Sequence, residues 1–383
     1  MSHFGRVPRR KMQSRWHLLK IMAAAAVLFC LYGVFQFNTL LRSFAIGTAN
    51  QHTNKGLWER FQFSQKTRTT EAPTVSPRTC RPSHVRLRLQ GLYPHLNMST
   101  LGGSPFLGLQ DVEAEATRSH RRNYGAFALE QLPYRMRPSD ALTIRWILKL
   151  MVNITTPREL SNLACKRCVV VGNGRVLKGS GLGERIDSYD VVLRMNDAPL
   201  RGHVGDVGSR TTMRLCYPES AHVRREDFDA STLLVFVPFK TRDLQWLLGV
   251  LNHHRVGPRG FWKRVPTELQ FPASRIRILN PAFVREAATD FLNISSDTKS
   301  GKAKNPTTGV IAITLALHLC DEVHLAGFGY NVNSPGSPVH YYGQDTMSSI
   351  IKSTYHNITI ERTFLRKLKE GEAIVDLTHL AGT

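Results

Sequence analysis

Two histidines near the carboxyl end of the chain have the chemistry of acid–base catalysts. His340 begins a His-Tyr-Tyr run, and His356 stands five residues before Glu361. Histidine titrates near neutral pH, so either imidazole could remove a proton from a substrate hydroxyl. The chain has 15 histidines, however, and residue type alone does not single out these two.

A glycine turn in the middle of the chain is a candidate phosphate-binding loop. The apolar segment Val169–Val171 runs into the turn Gly172–Gly174, and a second apolar segment, Val191–Leu193, ends just before Asn196. Because glycine has no Cβ, such a turn could admit a phosphate or could be a tight structural turn. A dinucleotide fingerprint requires a third glycine where Leu177 stands, which argues against a dinucleotide oxidoreductase.

The segment Pro306–Gly309 is a second candidate anion site, because it opens a predicted helix. Backbone N–H groups and hydroxyls at a helix N-terminus bind anions, whereas simple capping by Thr307 or Thr308 is the alternative interpretation. The strand predicted at Glu322–Ala326 leads into Gly327–Gly329. Ligands of doubly wound sheets bind at this end of a strand.

Two further patterns have a chemical and a structural interpretation. Asp227 and Asp229 are spaced like the paired aspartates that hold a divalent metal in many sugar-nucleotide transferases, yet their polar surroundings favour a solvated acidic turn. Cys165 and Cys168 are spaced like a redox pair. Redox pairs operate from a helix N-terminus, and this pair runs into a strand, which favours two separate structural disulfides.

The elements that must position these residues alternate between strand and helix. This alternation predicts an α/β fold with a largely parallel sheet and helices on both faces. The predicted strands are 169–171, 191–193, 233–237, 276–279 and 322–326, and the predicted helices are 139–151, 243–251, 308–319 and one that begins at Pro281.

The amino-terminal region has the pattern of a membrane anchor. Residues 21–41 are almost wholly apolar and long enough to cross a bilayer. The preceding tail, residues 1–20, is basic without any acidic residue, which predicts a cytosolic tail and a translocated remainder. We favour this anchor over a cleaved signal peptide. Residues 42–124, rich in Thr, Ser, Arg and Pro, are predicted to be a stem, and residues 125–383 the catalytic body.

Charge, sequons and cysteines agree with a translocated body. The net charge of +22 first suggests nucleic-acid binding, but beyond a membrane an anionic small molecule or acidic glycan is a better partner, and a merely soluble basic surface is the alternative. Outside the predicted span five cysteines remain, an odd number, so at least one is unpaired or bonded between chains. The candidate N-glycosylation sites are Asn97, Asn153, Asn293 and Asn357.

Taken together, these segments closely resemble the motifs of the animal sialyltransferases, membrane enzymes that use CMP-sialic acid. All four family motifs occur in order: a long motif at Cys168–Cys216, a short motif at Pro306–Gly329, a third at His340–Tyr342, and His356 followed by Glu361. Within the family the chain resembles the α2,3 galactoside group, and overall likeness favours its type 2 lactosamine members.

The resemblance implies a glycosyltransferase-A-like variant of the Rossmann-type sandwich with a mostly parallel sheet. It implies inverting transfer of sialic acid to the 3-hydroxyl of terminal galactose in Galβ1-4GlcNAc, on glycoproteins and glycolipids, without a metal. It further implies a single-pass type II protein of the Golgi membrane. Alternatives are another galactoside acceptor, such as lactosylceramide, and an inactive membrane-anchored glycan- or nucleotide-binding protein.

Roles for individual residues also follow from the resemblance. His356 is expected to be the base, oriented by Glu361, and His340 is expected to contact the donor phosphate. The pairs Cys168–Cys320 and Cys80–Cys165 are expected to be disulfides, leaving Cys216 unpaired. The residues expected to bind the donor are Asn173, Asn196, Trp262, Asn305 (where some relatives carry tyrosine), Thr307, Thr308, Gly309, Gly329 and His340.

Overall fold

In the computed structural model, the apolar segments of the chain pair into one seven-stranded sheet. All neighbouring strands are parallel, in the order β5-β4-β3-β2-β1-β6-β7. The fold is therefore an α/β fold with a parallel sheet, as predicted. The strands are β1 (Arg167–Val171), β2 (Val191–Met195), β3 (Met213–Cys216), β4 (Leu233–Phe236), β5 (Ile276–Ile278), β6 (Glu322–Ala326) and β7 (Val375–Asp376).

The structure describes residues 80–96, 105–109, 112, 140–151, 155–294, 305–329, 331, 333–352 and 355–378. The predicted tail and membrane span, and the sequons at Asn97 and Asn153, lie outside these residues. Within the described ranges, no helix is long and apolar enough to cross a membrane.

Helices cover both faces of the sheet. They are α1 (His84–Leu92), α2 (Asp140–Leu150), α3 (Arg158–Ser161), α4 (Gly183–Asp187), α5 (Val204–Val207), α6 (Thr241–Leu251), α7 (Pro281–Glu286), α8 (Thr308–Leu319), α9 (Met347–Ile351) and α10 (Ile358–Glu370). A π-helical turn, Ala287–Phe291, continues α7. Because side chains alternate along a strand, Val170 packs on one face of the sheet, and Val169 and Val171 on the other.

Helix α8 is the centre of one face. Residues Val310 to Leu317 are all buried, as expected of a helix that is apolar on every side. It packs on β1, β2, β3 and β6, with α1 and α7 also against it. Sequence and structure agree on its bounds, because Pro306 precedes the apolar run and an acidic pair ends it.

Helix α1 lies inside the range that we predicted to be stem. Val85 and Leu89 are fully buried in the same core cluster as α8. The Arg81 side chain forms an ion pair with Glu322 at the start of β6. The predicted stem range therefore contains a helix of the folded body. We allowed for docking of Cys80 and the Leu87–Leu92 run on the body, but the helix itself was not predicted because its residues lack an obvious apolar period.

Two disulfides link these elements covalently, and both were expected from the family resemblance. Cys168 of β1 is bonded to Cys320, which lies between α8 and β6. Cys80, just before α1, is bonded to Cys165, just before β1. Cys216 is unpaired and buried. Cys165 and Cys168 are thus two separate links and not a redox pair.

Candidate active site

Strands β2 to β5 follow one another on one side of β1, whereas β6 and β7 lie on its other side. Ligands of such folds bind at this switch point, between β1 and β6. At this point the turn after β1 packs directly on the turn after β6. A Cβ on Gly172 would lie 2.4 Å from the carbonyl oxygen of Gly327, and one on Gly174 would lie 2.6 Å from it. These two glycines are therefore required by backbone packing, so of the two interpretations of this turn the structural one is supported.

The third motif closes over the long motif at this position. His340 forms a β-bridge with Gly174. The Tyr341 backbone N–H donates to the carbonyl of Asn173 at 3.0 Å, and the Asn173 amide donates to the Tyr342 hydroxyl at 3.4 Å. Asn173 is thus held at the carboxyl end of β1. This is the edge of the sheet at which a residue that binds the sugar donor is expected.

Asn196 occupies the corresponding position after β2. Its φ of 59° lies in the left-handed region, which asparagine tolerates better than most residues. Its side-chain Oδ1 is buried and has no hydrogen-bond partner in the described part of the chain. Because buried polar atoms are nearly always paired, this oxygen fits a ligand-binding position.

The start of helix α8 lies beside both turns. Thr307 caps the helix, its hydroxyl oxygen accepting from the Val310 N–H at 3.3 Å. A Cβ on Gly309 would lie 3.1 Å from the Phe328 ring and 3.7 Å from the Met195 sulfur. The absence of a side chain at Gly309 therefore brings the helix start against the residue that precedes Asn196. Thr308 is the first residue of the helix and is half-buried.

Glu361 is the partner of Thr307 and not of His356. Its carboxylate accepts from the Thr307 N–H and from the Thr307 hydroxyl, both at 2.8 Å. Burial raises the pKa of Glu361 to about 7, while the two bonds from Thr307 act to lower it. Our expectation that Glu361 orients His356 is therefore wrong. Glu361 instead ties α10 to the start of α8.

His356 is oriented by a backbone carbonyl. Its Nδ1 lies 2.8 Å from the carbonyl oxygen of Asn305, and the Asn305 N–H donates to the carbonyl of Tyr355 at 2.7 Å. A carbonyl can only accept, so Nδ1 carries the proton, and in the neutral imidazole Nε2 carries the lone pair. This tautomer is the one that a general base requires. The Oδ1 of Asn305 is buried without a partner among the described residues.

His340 stacks on Tyr342, with ring centroids 5.3 Å apart and planes 14° from parallel. Burial lowers the pKa of His340, and the carboxylates of Asp345 and Asp197 act weakly against this shift. The imidazole is consequently neutral at pH 7 and can donate one hydrogen bond.

A Cβ on Gly329 would meet no atom within 4 Å, so the φ of 100° at this position, and not a lack of space, is what favours glycine.

Trp262 is 73% exposed, and its position is fixed through its backbone and its neighbours. Its N–H donates to Glu219 at 3.4 Å, and Lys263 forms an ion pair with Asp197 at 3.1 Å. Lys240 bonds to the same Glu219 oxygen at 3.1 Å. The loop that carries Trp262 and Lys263 is thereby linked to Asp197, the residue that follows Asn196. Sequence patterns did not identify Glu219 and Lys240, because their association joins the ends of two different strands.

Asp227 and Asp229 hold the backbone of a turn. Asp227 accepts from the Arg201 N–H at 2.9 Å, and Asp229 accepts from the N–H and hydroxyl of Ser231. This is the structural interpretation that we favoured. Over the described ranges, no three His, Cys, Asp or Glu side chains form a group able to hold a metal.

Of the sequons that fall on described residues, Asn293 is exposed. The Asn357 side chain caps α10, accepting from the Ile360 N–H at 3.3 Å. Asn357 thus fixes the start of the helix that carries Glu361, directly beside His356.

Four separate motifs therefore meet at the carboxyl edge of one sheet, and comparison with known families decides what they are. The model of glycosyltransferase family 29 (sialyltransferase) matches residues 117–373. The chain belongs to the sialyltransferase family. Family membership agrees with the ordered motifs and with the disulfides.

Known sialyltransferases are similar to the chain over most of its length. The human type 2 lactosamine alpha-2,3-sialyltransferase is 47% identical over 275 residues, which are 72% of this chain and 81% of that protein. The mouse CMP-N-acetylneuraminate-beta-1,4-galactoside alpha-2,3-sialyltransferase is 43% identical over 248 residues, 64% of this chain and 66% of that protein. A crystal structure of a mammalian sialyltransferase, 28% identical, superposes with a TM-score of 0.57 over 79% of this chain and 97% of its own.

Proposed function

We propose that this sialyltransferase transfers sialic acid from CMP-sialic acid to the 3-hydroxyl of a terminal β-linked galactose, with inversion at the anomeric carbon. The observation that carries the proposal is the hydrogen bond from His356 Nδ1 to the Asn305 carbonyl. It places an imidazole of defined tautomer next to the helix start at which the family motifs meet.

In this reaction Nε2 of His356 accepts the proton of the galactose hydroxyl. The oxygen forms a bond to the anomeric carbon of sialic acid as the bond from that carbon to the phosphate oxygen breaks. CMP leaves with the electron pair. Neutral His340 donates a hydrogen bond to the departing phosphate, and preorganised donors of this kind stabilise developing charge.

Asn173 and Asn196 contribute side chains at the carboxyl ends of β1 and β2. The Thr307 hydroxyl already donates to Glu361 and accepts from Val310. Thr307 therefore contributes to donor binding by holding the helix start in place, leaving Thr308 and Gly309 to face the nucleotide. Trp262 offers an exposed indole on the loop beside Asn196.

For the acceptor we propose Galβ1-4GlcNAc on glycoproteins and glycolipids. Support comes from similarity to proteins named type 2 lactosamine and beta-1,4-galactoside alpha-2,3-sialyltransferases. The test is a panel of Galβ1-4GlcNAc, Galβ1-3GalNAc and lactosylceramide acceptors incubated with CMP-sialic acid and the purified protein. Transfer to Galβ1-4GlcNAc at least tenfold above the others supports the proposal, and release of no CMP with any galactoside contradicts it.

We also propose that transfer needs no metal ion. CMP leaves as a monophosphate, which carries less charge than a nucleoside diphosphate and can be stabilised by hydrogen bonds. Activity in EDTA should equal activity in buffer. An enzyme that loses activity in the chelator and recovers it with Mn²⁺ contradicts this part.

The proposed location is the Golgi membrane, with a single-pass type II topology and a lumenal body. The apolar run 21–41 behind a basic tail supports this topology. The disulfides support an oxidising compartment. Protease protection in sealed Golgi vesicles tests the proposal, because digestion of the body without detergent would contradict it.

A further inference from the structure

Arg214 is a buried cation behind the donor site. It lies in the middle of β3, opposite Arg194 of β2, and is only 1% exposed. Placing a charge in the interior is costly unless that charge is paired. Yet among the described residues neither arginine forms an ion pair with a carboxylate. Burial lowers the pKa of Arg214, while the charges of Tyr341, Asp227, Cys216 and Asp197 act to raise it.

The hydrogen bonds of Arg214 point to the carboxyl edge. Nη1 donates to the carbonyl of Asn196 at 2.7 Å and to that of Ala198 at 3.3 Å. These bonds hold the turn in which Asn196 adopts its left-handed conformation. Nη2 is buried and has no hydrogen-bond partner in the described part of the protein. Nη1 of the guanidinium thus holds the turn of Asn196, a residue proposed to bind CMP-sialic acid. Nη2 is left with N–H groups that make no hydrogen bond to the described residues.

We propose that Arg214 is a positioning residue that prepares the site for an anionic nucleotide. It holds the Asn196 turn and supplies a positive potential that no protein carboxylate cancels at close range within the described ranges. CMP-sialic acid carries a phosphodiester and a carboxylate, so it can neutralise this potential when it binds. This inference rests on the proposed function.

The test compares CMP, which is anionic, with cytidine, which is neutral, by calorimetric binding to the full-length protein in detergent. Arg214→Gln removes the charge, and we expect it to weaken CMP binding about tenfold and cytidine binding less than threefold. Arg214→Lys keeps the charge, and the ratio of the two affinities should stay within about threefold of wild type.

Arg277→Gln is the matched control. Arg277 is another buried arginine, 2% exposed, on the edge strand β5. It donates to the carbonyls of Thr155, Ser274 and Ile276, which lie toward the amino ends of the strands. Its replacement should lower stability and leave the CMP-to-cytidine ratio unchanged.

An Arg214→Gln variant that weakens both ligands equally, or neither, overturns the inference, because a purely structural role does not distinguish charge. If that variant does not fold, Arg214→Met, which is also neutral, takes its place: a CMP affinity that falls more than the cytidine affinity supports the inference, and an unchanged ratio overturns it. A wild-type protein that does not bind CMP contradicts the proposed function itself. A wild-type protein that binds CMP, with an Arg214→Gln ratio equal to its own, contradicts only the role of Arg214.

Discussion

The two ends of the sheet differ in how their polar groups are used. At the amino ends of the strands lies a cavity of about 610 Å³ lined by Arg210, Arg275, Asp190 and Asp229, among others. Its charged side chains bond to protein: Arg210 donates to three backbone carbonyls, Arg275 pairs with Glu159, and Asp190 accepts from a backbone N–H.

At the carboxyl ends of the strands, by contrast, several buried polar atoms make no hydrogen bond to the described residues. Buried oxygens of Asn196 and Asn305 and a buried nitrogen of Arg214 have no partner among the described residues. Folding normally satisfies such atoms, so their presence marks the place where a ligand is expected to complete them. Thr314 Oγ1 and His318 Nδ1 on helix α8 also lack such a partner, so the site is indicated by the position of the three atoms beside the motifs and not by their lack of a partner alone.

The largest expected effect tests the carboxyl end directly. Because His356 is the proposed base, His356→Ala should lower kcat by about 10² to 10⁴-fold and leave CMP affinity within about threefold. Steady-state transfer rates and calorimetry measure the two quantities. His254→Ala, at an exposed histidine shortly after α6, is the control and should behave as wild type. Full activity of the His356 variant would remove it as the base.

The second prediction concerns the disulfide that joins β1 to the segment before β6. Replacing Cys168 and Cys320 together by alanine should lower the free energy of unfolding by about 2–5 kcal/mol, because the bond joins residues 152 positions apart. Urea denaturation measures the change. Cys216→Ala removes an unpaired buried thiol and should cost about 1 kcal/mol. Equal losses in the two variants would show that the bond adds no stability.

The third prediction concerns pH. Burial raises the pKa of Glu361 from 4.5 to about 7 in the folded protein. Its contribution to stability is therefore fully present below pH 4.5 and is lost as the pH rises through 7. Glu361→Gln cannot titrate, so the melting temperature of the variant relative to wild type should rise between about pH 5 and pH 8. A constant difference across this range would mean that the carboxyl is ionised throughout.

The smallest expected effect is at the amino end. Ser231→Trp places a large side chain at the exposed rim of the cavity, and kcat/KM for CMP-sialic acid should stay within about twofold of wild type. Ser231→Ala is its matched control. A large loss with tryptophan alone would mean that this cavity also serves the reaction, and the contrast between the two ends would fail.

Local sequence was sufficient where an element depends on its own residues. Helix α8 and strand β6 have the predicted bounds, because their apolar runs are continuous. Strand β3 was not predicted, since Arg214 interrupts its short apolar run. Strand β7 has only two residues, too few for a periodic signal.

The site residues follow the same distinction. The identity of the candidate base could be predicted from its motif. The partners could not: His356 bonds to a residue 51 positions earlier, and Glu361 to one 54 positions earlier. The need for glycine at position 172 likewise depends on the carbonyl of Gly327, which only the folded chain brings near.

The position of helix α1 decides how far the chain can be shortened from its amino terminus. A chain cut before Arg78 would keep α1 and the Cys80–Cys165 link with the body, and so would keep its core. A fragment that begins at residue 125 would lose Val85 and Leu89 from that core and leave Cys165 without its partner. Truncated forms of this sialyltransferase that fold should therefore begin upstream of Cys80.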